Sequence, residues 1–432
     1  MLRIPTQPRA NWQSVVESQG FHFHTIDEAP YWDESVCYLL NARQVDQIEA
    51  ATYALNDMCL KAVQHVIDRN LFHLFLIPPE VVPWVVRSWE TDEFTLYGRF
   101  DLAYDGRGDP KLLEYNADTP TSLLEAAVIQ WFWLKEVEQN PGAFSPELAR
   151  HAGASGLDQF NSLHERLIEA WGAYANVIRA RRAANPQVFN PTMYFTCASG
   201  HVEDFMTTQY LRDTAAQAFG GSIGDEDDAD DDDPFGGFGR SGGAPTGGEF
   251  PTEFIPIEQI GFNHPRQLFV DARERPIHNL FKLYPWEWLV REQFGPMIPR
   301  TLVHWLEAPW KMLLSNKAVL PILSELFPRS PYLLPASFQP INGPHVRKPI
   351  LSREGANVSM VIGGKVVIET PGPYGAGPFV YQQLQPLPDH QGHLPVVGSW
   401  MVNGHAAGIG IREDTSPITG NTSRFVPHLF VR

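Results

Sequence analysis

The chain has 432 residues, 43% hydrophobic and 12% aromatic, enough for a large buried core spread over two or three packed units. Its formal net charge of −17, with 33 Lys and Arg against 50 Asp and Glu, argues against nucleic acid or an anionic membrane as partner, because phosphate binding needs clustered cations. Three dispersed cysteines (Cys37, Cys59, Cys197) exclude a disulfide framework and a CxxC zinc signature; with no apolar signal segment after Met1 and no apolar run of about 18 residues, a soluble cytoplasmic protein is expected.

In chain order, Asn41 is placed to cap a long helix reaching about residue 69. Val45, Ile48, Thr52, Leu55, Cys59, Ala62 and Val66 recur at steps of three and four, so they share its buried face and Cys59 reads as packing. Residues 71–76, 94–104 and 111–116 read as short strands, and 123–137 and 157–183 as helices. Thr121 or Ser122 is placed to cap the first of these helices, whose N-terminus would suit an anion. A strand at 191–196, a helix at 202–219 and a strand at 254–260 predict a small α/β unit. Between them, 220–249 holds ten of the 34 glycines and, at 225–233, eight acidic residues with no basic one. Such a segment buries too little apolar surface to offset its chain entropy and is expected to be a disordered insertion. Two hairpins with type I′ turns follow, 358–362 with 365–369 around Gly363-Gly364, and 396–402 with 405–411 around Asn403-Gly404.

Residues able to carry chemistry cluster on the expected strands. Arg99 and Asp101 share one face of a strand, Glu114 and Asn116 one face of the next, and the turn-rich 105–110 lets the two pair. Two carboxylates, a carboxamide oxygen and a guanidinium on one face suit magnesium bridging phosphates; an exposed, salt-bridged sheet face is the alternative. Lys348 ends a short strand before the polar loop 352–357 and the Gly363-Gly364 hairpin, a layout that can fold over phosphates, with Lys317 a second candidate. No GxxxxGK[ST] motif occurs. Gln382, Gln383 and Leu384 follow a Gly/Pro-rich stretch whose exposed backbone would read an adenine edge, and Arg412 ends the second hairpin. The aromatic run 281–288, with Lys282 and Glu287, reads as a packed wall. The 15 histidines show no HExxH spacing, so no zinc site is assigned.

In order, the segments GRFDLAYDG (98–106), LLEYNADTPTSLLE (112–125), LFKLYPWEWLVRE (280–292), LLSNKAVLPIL (313–323), RKPILSREGANV (347–358) and GIGIRED (408–414) resemble the synthetase part of the glutathionylspermidine synthase family, over nearly the whole chain. The resemblance implies an α/β ATP-grasp fold with a pre-ATP-grasp, Rossmann-like unit and a β-hairpin lid. It implies an N-terminal part of the core at 1–185, the α/β unit at 186–300, and the lid and C-terminal part at 301–432. It implies an ADP-forming ligase that joins a small acid or peptide to an amine through an acyl phosphate, using ATP and two Mg²⁺ ions. By the same resemblance Asp101, Glu114 and Asn116 would hold magnesium and Arg99 would stabilise the transition state. Lys317, Lys348, Ser352, Gly355, Ala356, Asn357, Gln382, Gln383 and Leu384 would contact ATP, and Ser122 and Arg412 the substrates. Bifunctional relatives carry an N-terminal amidase domain, for which the motifs beginning by Arg99 leave no room, so no amidase activity is expected. The TPTS after Asn116 resembles the stand-alone branch, so glutathione and spermidine do not follow as substrates. Two rival readings are a nucleotide-binding module without turnover and a small-molecule kinase.

Overall fold

The computed structural model describes residues 1–152, 156–222, 246–375, 377–421 and 423–432. The acidic run at 225–233 lies outside them, and with it most of the segment expected to be disordered. In chain order, the elements that build the site begin with helix α1 (Ala42–Asp68), strands β1 (Tyr97–Ala103) and β2 (Lys111–Asn116), and helices α2 (Gln130–Gln139) and α3 (Leu163–Ala184). Strand β3 (Met193–Cys197), helix α4 (Val202–Ala218) and strands β4 (Thr252–Phe254), β5 (Asn279–Leu283) and β6 (His304–Leu306) follow. The last third supplies β7 (Ala336–Ser337), β8 (His345–Pro349), β9 (Ser359–Ile362), β10 (Lys365–Glu369), β11 (Phe379–Gln383), β12 (Leu394–Val402), β13 (His405–Asp414) and β14 (Arg424–Val426).

Helix α1 starts where its cap dictates. The Asn41 carboxamide accepts from Gln44 N (3.0 Å) while Gln44 Oε1 accepts from Asn41 N (3.1 Å), a reciprocal capping box. Its expected apolar stripe is buried from Val45 to Val66, with Ile48, Leu55, Cys59 and Ala62 wholly closed to water. Each fully buried aliphatic there contributes roughly 1.5–3 kcal/mol of transfer free energy.

Three sheets surround the site. The first is antiparallel, in the order β14-β13-β12-β1-β2, so a strand pair from residues 97–116 is completed by strands from the C-terminal end. The second is parallel, β4-β3-β5-β6, and is the α/β unit, with α4 following β3. The third is antiparallel, β7-β11-β8-β9-β10, and ends in the β9–β10 hairpin. Sheet membership therefore cuts across contiguous segments: β6 joins the α/β unit from beyond residue 300, and β1 lies beside β12.

Four local expectations change. Residues 71–76 form a 3₁₀ turn (Phe72–Phe75) rather than a strand, because Phe72 and Phe75 bury at a spacing of three and Asn70, at φ 52°, breaks any extended run. The strand expected at 254–260 ends at Phe254, and Pro256, which has no N–H for a ladder, leads into a 3₁₀ turn (Ile257–Gln259). The helix expected from 157 begins at Leu163, since Asp158 and Asn161 bridge to Phe430 and Gly408 instead. Neither Thr121 nor Ser122 caps a helix: Ser122 is in the left-handed region at φ 64° with its hydroxyl on Tyr31, and the helical path, which starts at Leu123, passes at once into a π-turn (Glu125–Ile129) that has no side-chain cap. Both type I′ hairpins form, with Gly363, Gly364, Asn403 and Gly404 all at positive φ.

Candidate active site

The first expected constellation closes in register. Arg99 lies opposite Asn116 and Asp101 opposite Glu114 across β1 and β2. The Arg99 guanidinium grips Asp101 with two bonds, Nε to Oδ1 at 2.6 Å and Nη2 to Oδ2 at 3.1 Å, and donates to the Thr121 carbonyl at 2.6 Å. Gly398 of β12, paired with Asp101, makes room for this arm, since a Cβ there would stand 2.8 Å from Arg99 Cδ. Asn116 Nδ2 donates to Asp101 Oδ2 (3.2 Å) and Glu114 Oε1 (3.4 Å), so the carboxamide sits where the two carboxylates converge. Arg412 of β13 reaches Asp101 Oδ2 at 3.3 Å.

Two lysines complete this wall. Lys317 Nζ lies 3.1 Å from Glu114 Oε2 and also donates to the Ser352 carbonyl. Lys348, buried on β8, donates to the Leu113 carbonyl (2.9 Å) and to Gln382 Oε1 (2.8 Å). Burial pushes the Glu114 carboxyl up, but Lys317 and Lys348 pull it down further, to about 2, so it is ionised at any working pH. Burial lowers the Lys348 ammonium to about 8 despite the opposing pull of Glu114. All of these side chains line one cleft of about 800 Å³, within the range of small-molecule sites. Two carboxylates and one carboxamide are hard oxygen donors that would suit magnesium sharing its coordination with phosphate oxygens. They do not make a closed all-protein cage, and among the described residues no group of three or more His, Cys, Asp and Glu could hold a metal ion.

A family model described as glutathionylspermidine synthase preATP-grasp matches residues 3–223 and 244–431. The chain belongs to the glutathionylspermidine synthase family. A Haemophilus influenzae protein named, provisionally, as an acid–amine ligase is 35% identical over 444 residues, covering 99% of this chain and 98% of that one. Trypanothione synthetase of Crithidia fasciculata is 26% identical over 400 residues, 86% of this chain and 53% of its own. The bifunctional glutathionylspermidine synthetase/amidase of Escherichia coli is 27% identical over 456 residues, 98% of this chain and 61% of its own, so the chain spans just over half the length of these two. Among solved structures, a glutathione synthetase-like effector from Globodera pallida superposes with a TM-score of 0.54 at 10% identity, covering 97% of this chain and 96% of that one, a likeness of fold.

Of the residues that the sequence resemblance implied, Arg99, Asp101, Glu114, Asn116, Lys317, Lys348, Gly355, Gln382, Gln383, Leu384 and Arg412 line the cleft. Ser122 does not: it is buried behind the wall, its hydroxyl 3.0 Å from Tyr31 Oη. Ser352, Ala356 and Asn357 also stand off the cleft surface. Ser352 Oγ is turned to the Pro349 carbonyl (3.1 Å), and Asn357 Oδ1 accepts from Tyr374 N (2.6 Å). Gly355, at φ 69°, packs so closely that a Cβ would stand 2.4 Å from the Thr419 carbonyl, so this position admits only glycine without a shift. The backbone at 382–384 is not the free edge expected from its Gly/Pro-rich approach, since Gln383 N donates to the Pro335 carbonyl (2.8 Å) and Leu384 N to the Pro344 carbonyl (3.0 Å).

The sequence reading gave three contributors no role of their own. Arg353 crosses the cleft mouth, bonding Glu287 Oε1 (2.7 and 2.9 Å) and Thr119 Oγ1 (2.7 Å), and so ties the 352–357 loop to the opposite wall. Glu203 and Asp204, in the first turn of α4, line the cleft as half-buried carboxylates. Burial, reinforced by Glu354 and opposed by His201, raises the Asp204 carboxyl to about 6. Burial also raises Glu203, against a hydrogen bond from Thr121. The only signal for these two in the sequence is their place in a first helical turn, where acids are common for dipole reasons alone.

Proposed function

We propose that the chain is an ATP- and Mg²⁺-dependent, ADP-forming ligase that joins a carboxylic acid to an amine through an acyl phosphate. One observation carries this: the four-residue face of β1 and β2, the lysine pair and Arg412 converge on one wall of a cleft that also holds the Glu203–Asp204 pair. In this reading Asp101, Glu114 and Asn116 hold two magnesium ions, which supply charge neutralisation at the phosphates when bound. Lys317 and Lys348 face the ATP phosphates, the 352–357 loop and the β9–β10 hairpin form the lid, and the 382–384 stretch borders the adenine.

The substrate carboxylate attacks the γ-phosphate, and Arg99 and Arg412 balance the negative charge on the acyl phosphate and its flanking transition states. Glu203 and Asp204 would bind the amine substrate as its ammonium form; loss of a proton to one of these carboxylates or to water frees the lone pair, and the neutral amine then attacks the acyl carbon and expels inorganic phosphate, its second proton going to the phosphate or to water. The fold-level likeness adds nothing on substrates, so their identity is an experimental question.

The test is coupled release of ADP and inorganic phosphate from pooled acids and peptides crossed with pooled amines, amino acids and polyamines, with a chelator control. Chelator-sensitive release of both, requiring an acid and an amine together, supports the ligase. ADP without phosphate replaces it with a kinase. Tight magnesium-ATP binding with no release from any pool shifts the reading to a binding module.

A further inference from the structure

Arg99 is held from two sides. Its Nε and Nη2 go to Asp101, and its Nη1 donates to the Thr121 carbonyl at 2.6 Å. The direction of that carbonyl depends on the residue after it. Ser122 is in the left-handed region, at φ 64°, and is 2% exposed. Both ends of the turn are fixed. The Pro120 carbonyl accepts from Tyr97 Oη (3.3 Å), and the helical path beyond the turn buries Leu123 and Leu124. With the Cα atoms held in this way, the sign of φ at Ser122 sets which way the planar Thr121–Ser122 peptide faces. Reversing the sign would turn the carbonyl away from Arg99. A residue other than glycine pays for this conformation and keeps it only where its surroundings over-determine it. Here the buried Tyr31 hydroxyl, 3.0 Å from Ser122 Oγ, supplies the hold.

We infer that Ser122 is a positioning residue for Arg99: its left-handed backbone, pinned through Tyr31, aims the Thr121 carbonyl that fixes the guanidinium in the cleft wall. The inference rests on the ligase reading. In that reading Asp101 also serves magnesium, so the neutral Thr121 carbonyl is the partner whose hold on Arg99 stays constant through turnover. The same turn reaches the loop across the cleft mouth, since Thr119 Oγ1 accepts from Arg353 at 2.7 Å. Thr119, Pro120 and Thr121 line the cleft, whereas Ser122 stands behind them and acts only through its neighbour.

Two substitutions separate this role from packing. Alanine is closer to serine in volume than glycine is, so a residue that only fills space should tolerate Ser122→Ala better than Ser122→Gly. Glycine enters the left-handed region freely and alanine does not, so positioning reverses that order. The readout is the acyl phosphate, trapped from the acid pool with magnesium-ATP and with hydroxylamine in place of the amine: the hydroxylamine nitrogen bonds to the acyl carbon, and inorganic phosphate leaves. Ser122→Gly should stay close to the wild-type rate. Ser122→Ala should lose roughly tenfold, the value of one hydrogen bond to a charged group, with the KM for ATP level. Ser122→Ala as fast as Ser122→Gly, or faster, overturns the proposal. Should Ser122→Ala fail to fold, Tyr31→Phe takes its place, removing the pin at nearly constant ring volume. It should slow the wild-type chain and not Ser122→Gly, and an equal loss in both overturns the proposal. Absence of hydroxamate from the wild-type chain counts against the ligase reading instead. Crystal structures of Ser122→Gly and Ser122→Ala then decide the positioning alone: the Thr121 carbonyl should meet Arg99 in the first and turn away in the second, and its retention in both overturns the inference.

Discussion

Asp118 and Lys282 form an ion pair with both side chains closed to solvent, Nζ lying 2.6 Å from Oδ1. The second carboxylate oxygen accepts from Trp286 N (2.9 Å), and Nζ donates also to the Tyr284 carbonyl (2.9 Å) while lying 4.1 Å from the Trp286 ring centre. The segment just after Asn116 is thereby fastened to β5 of the parallel sheet. Burial lowers the Lys282 pKa and Asp118 opposes the shift, as expected of a charge held inside by its partner.

Removing one member leaves the other as an uncompensated buried charge, which costs about 3–5 kcal/mol. Lys282→Met and Asp118→Leu should each unfold at markedly lower temperature than wild type. The double variant should recover part of the loss, because two apolar side chains strand no charge. Thermal denaturation of the four proteins checks this, and additive losses would show that the pair does not act as a unit.

A different variant set addresses the metal face. Glu114→Gln and Asp101→Asn keep shape while removing the charge that would bind magnesium. Each should lower turnover by on the order of 100-fold or more, as seen when charge-stabilising groups are removed, and each should also melt at lower temperature, because Asp101→Asn strands the buried Arg99 and Glu114→Gln the Lys317 ammonium. Because Glu114 is held at about 2, its charge should add no acidic limb of its own to the pH profile above pH 4. Magnesium-ATP titration by calorimetry distinguishes lost binding from lost chemistry.

Much of this site was legible because its signals are local. Strand alternation put Arg99 with Asp101 and Glu114 with Asn116, and the observed register joined them as expected. Turn glycines and Asn403 marked both hairpins, and Asn41 marked the start of α1. What escaped depends on tertiary contact. Ser122 looked like a cap, but its environment is set by Tyr31, 91 residues away. The Gln382 side chain is consumed by Lys348 and the Leu112 carbonyl, a fact invisible in its own neighbourhood. Phe72 and Phe75 bury at helical spacing inside a run too short and apolar to show its period. Arg353 and the Glu203–Asp204 pair acquire meaning only when distant elements form one cleft.

The Asp204 carboxyl makes a pH prediction. Raised to about 6, it is ionised above that value and loses its charge as pH falls through it. With a cationic amine as substrate, kcat/KM for that amine should fall on the acidic side of about pH 6, while the KM for ATP stays level. Asp204→Asn should flatten this limb and lower kcat/KM across the range. An acidic limb that survives in Asp204→Asn would assign it to another group.

Glu125 supplies the last prediction, and it concerns a cost. The residue is 1% exposed, its Oε1 has no partner among the described residues, and burial together with nearby Glu203 raises its carboxyl from 4.5 to about 7. A carboxyl with a folded pKa above its unfolded one leaves the folded state holding the extra proton between pH 4.5 and 7. Stability is therefore lost as pH rises through that window and stays lost above it. Glu125→Gln removes the ionisation. Its stability should match wild type near pH 4 and exceed it at pH 8 by on the order of 1–3 kcal/mol, read from denaturant midpoints at the two pH values. The same substitution removes a negative charge beside Glu203. A variant that is more stable at pH 8 yet slower with the amine would mean that the carboxyl is kept for the cleft at the expense of the fold. A variant more stable and equally fast would leave Glu125 with no part in the reaction.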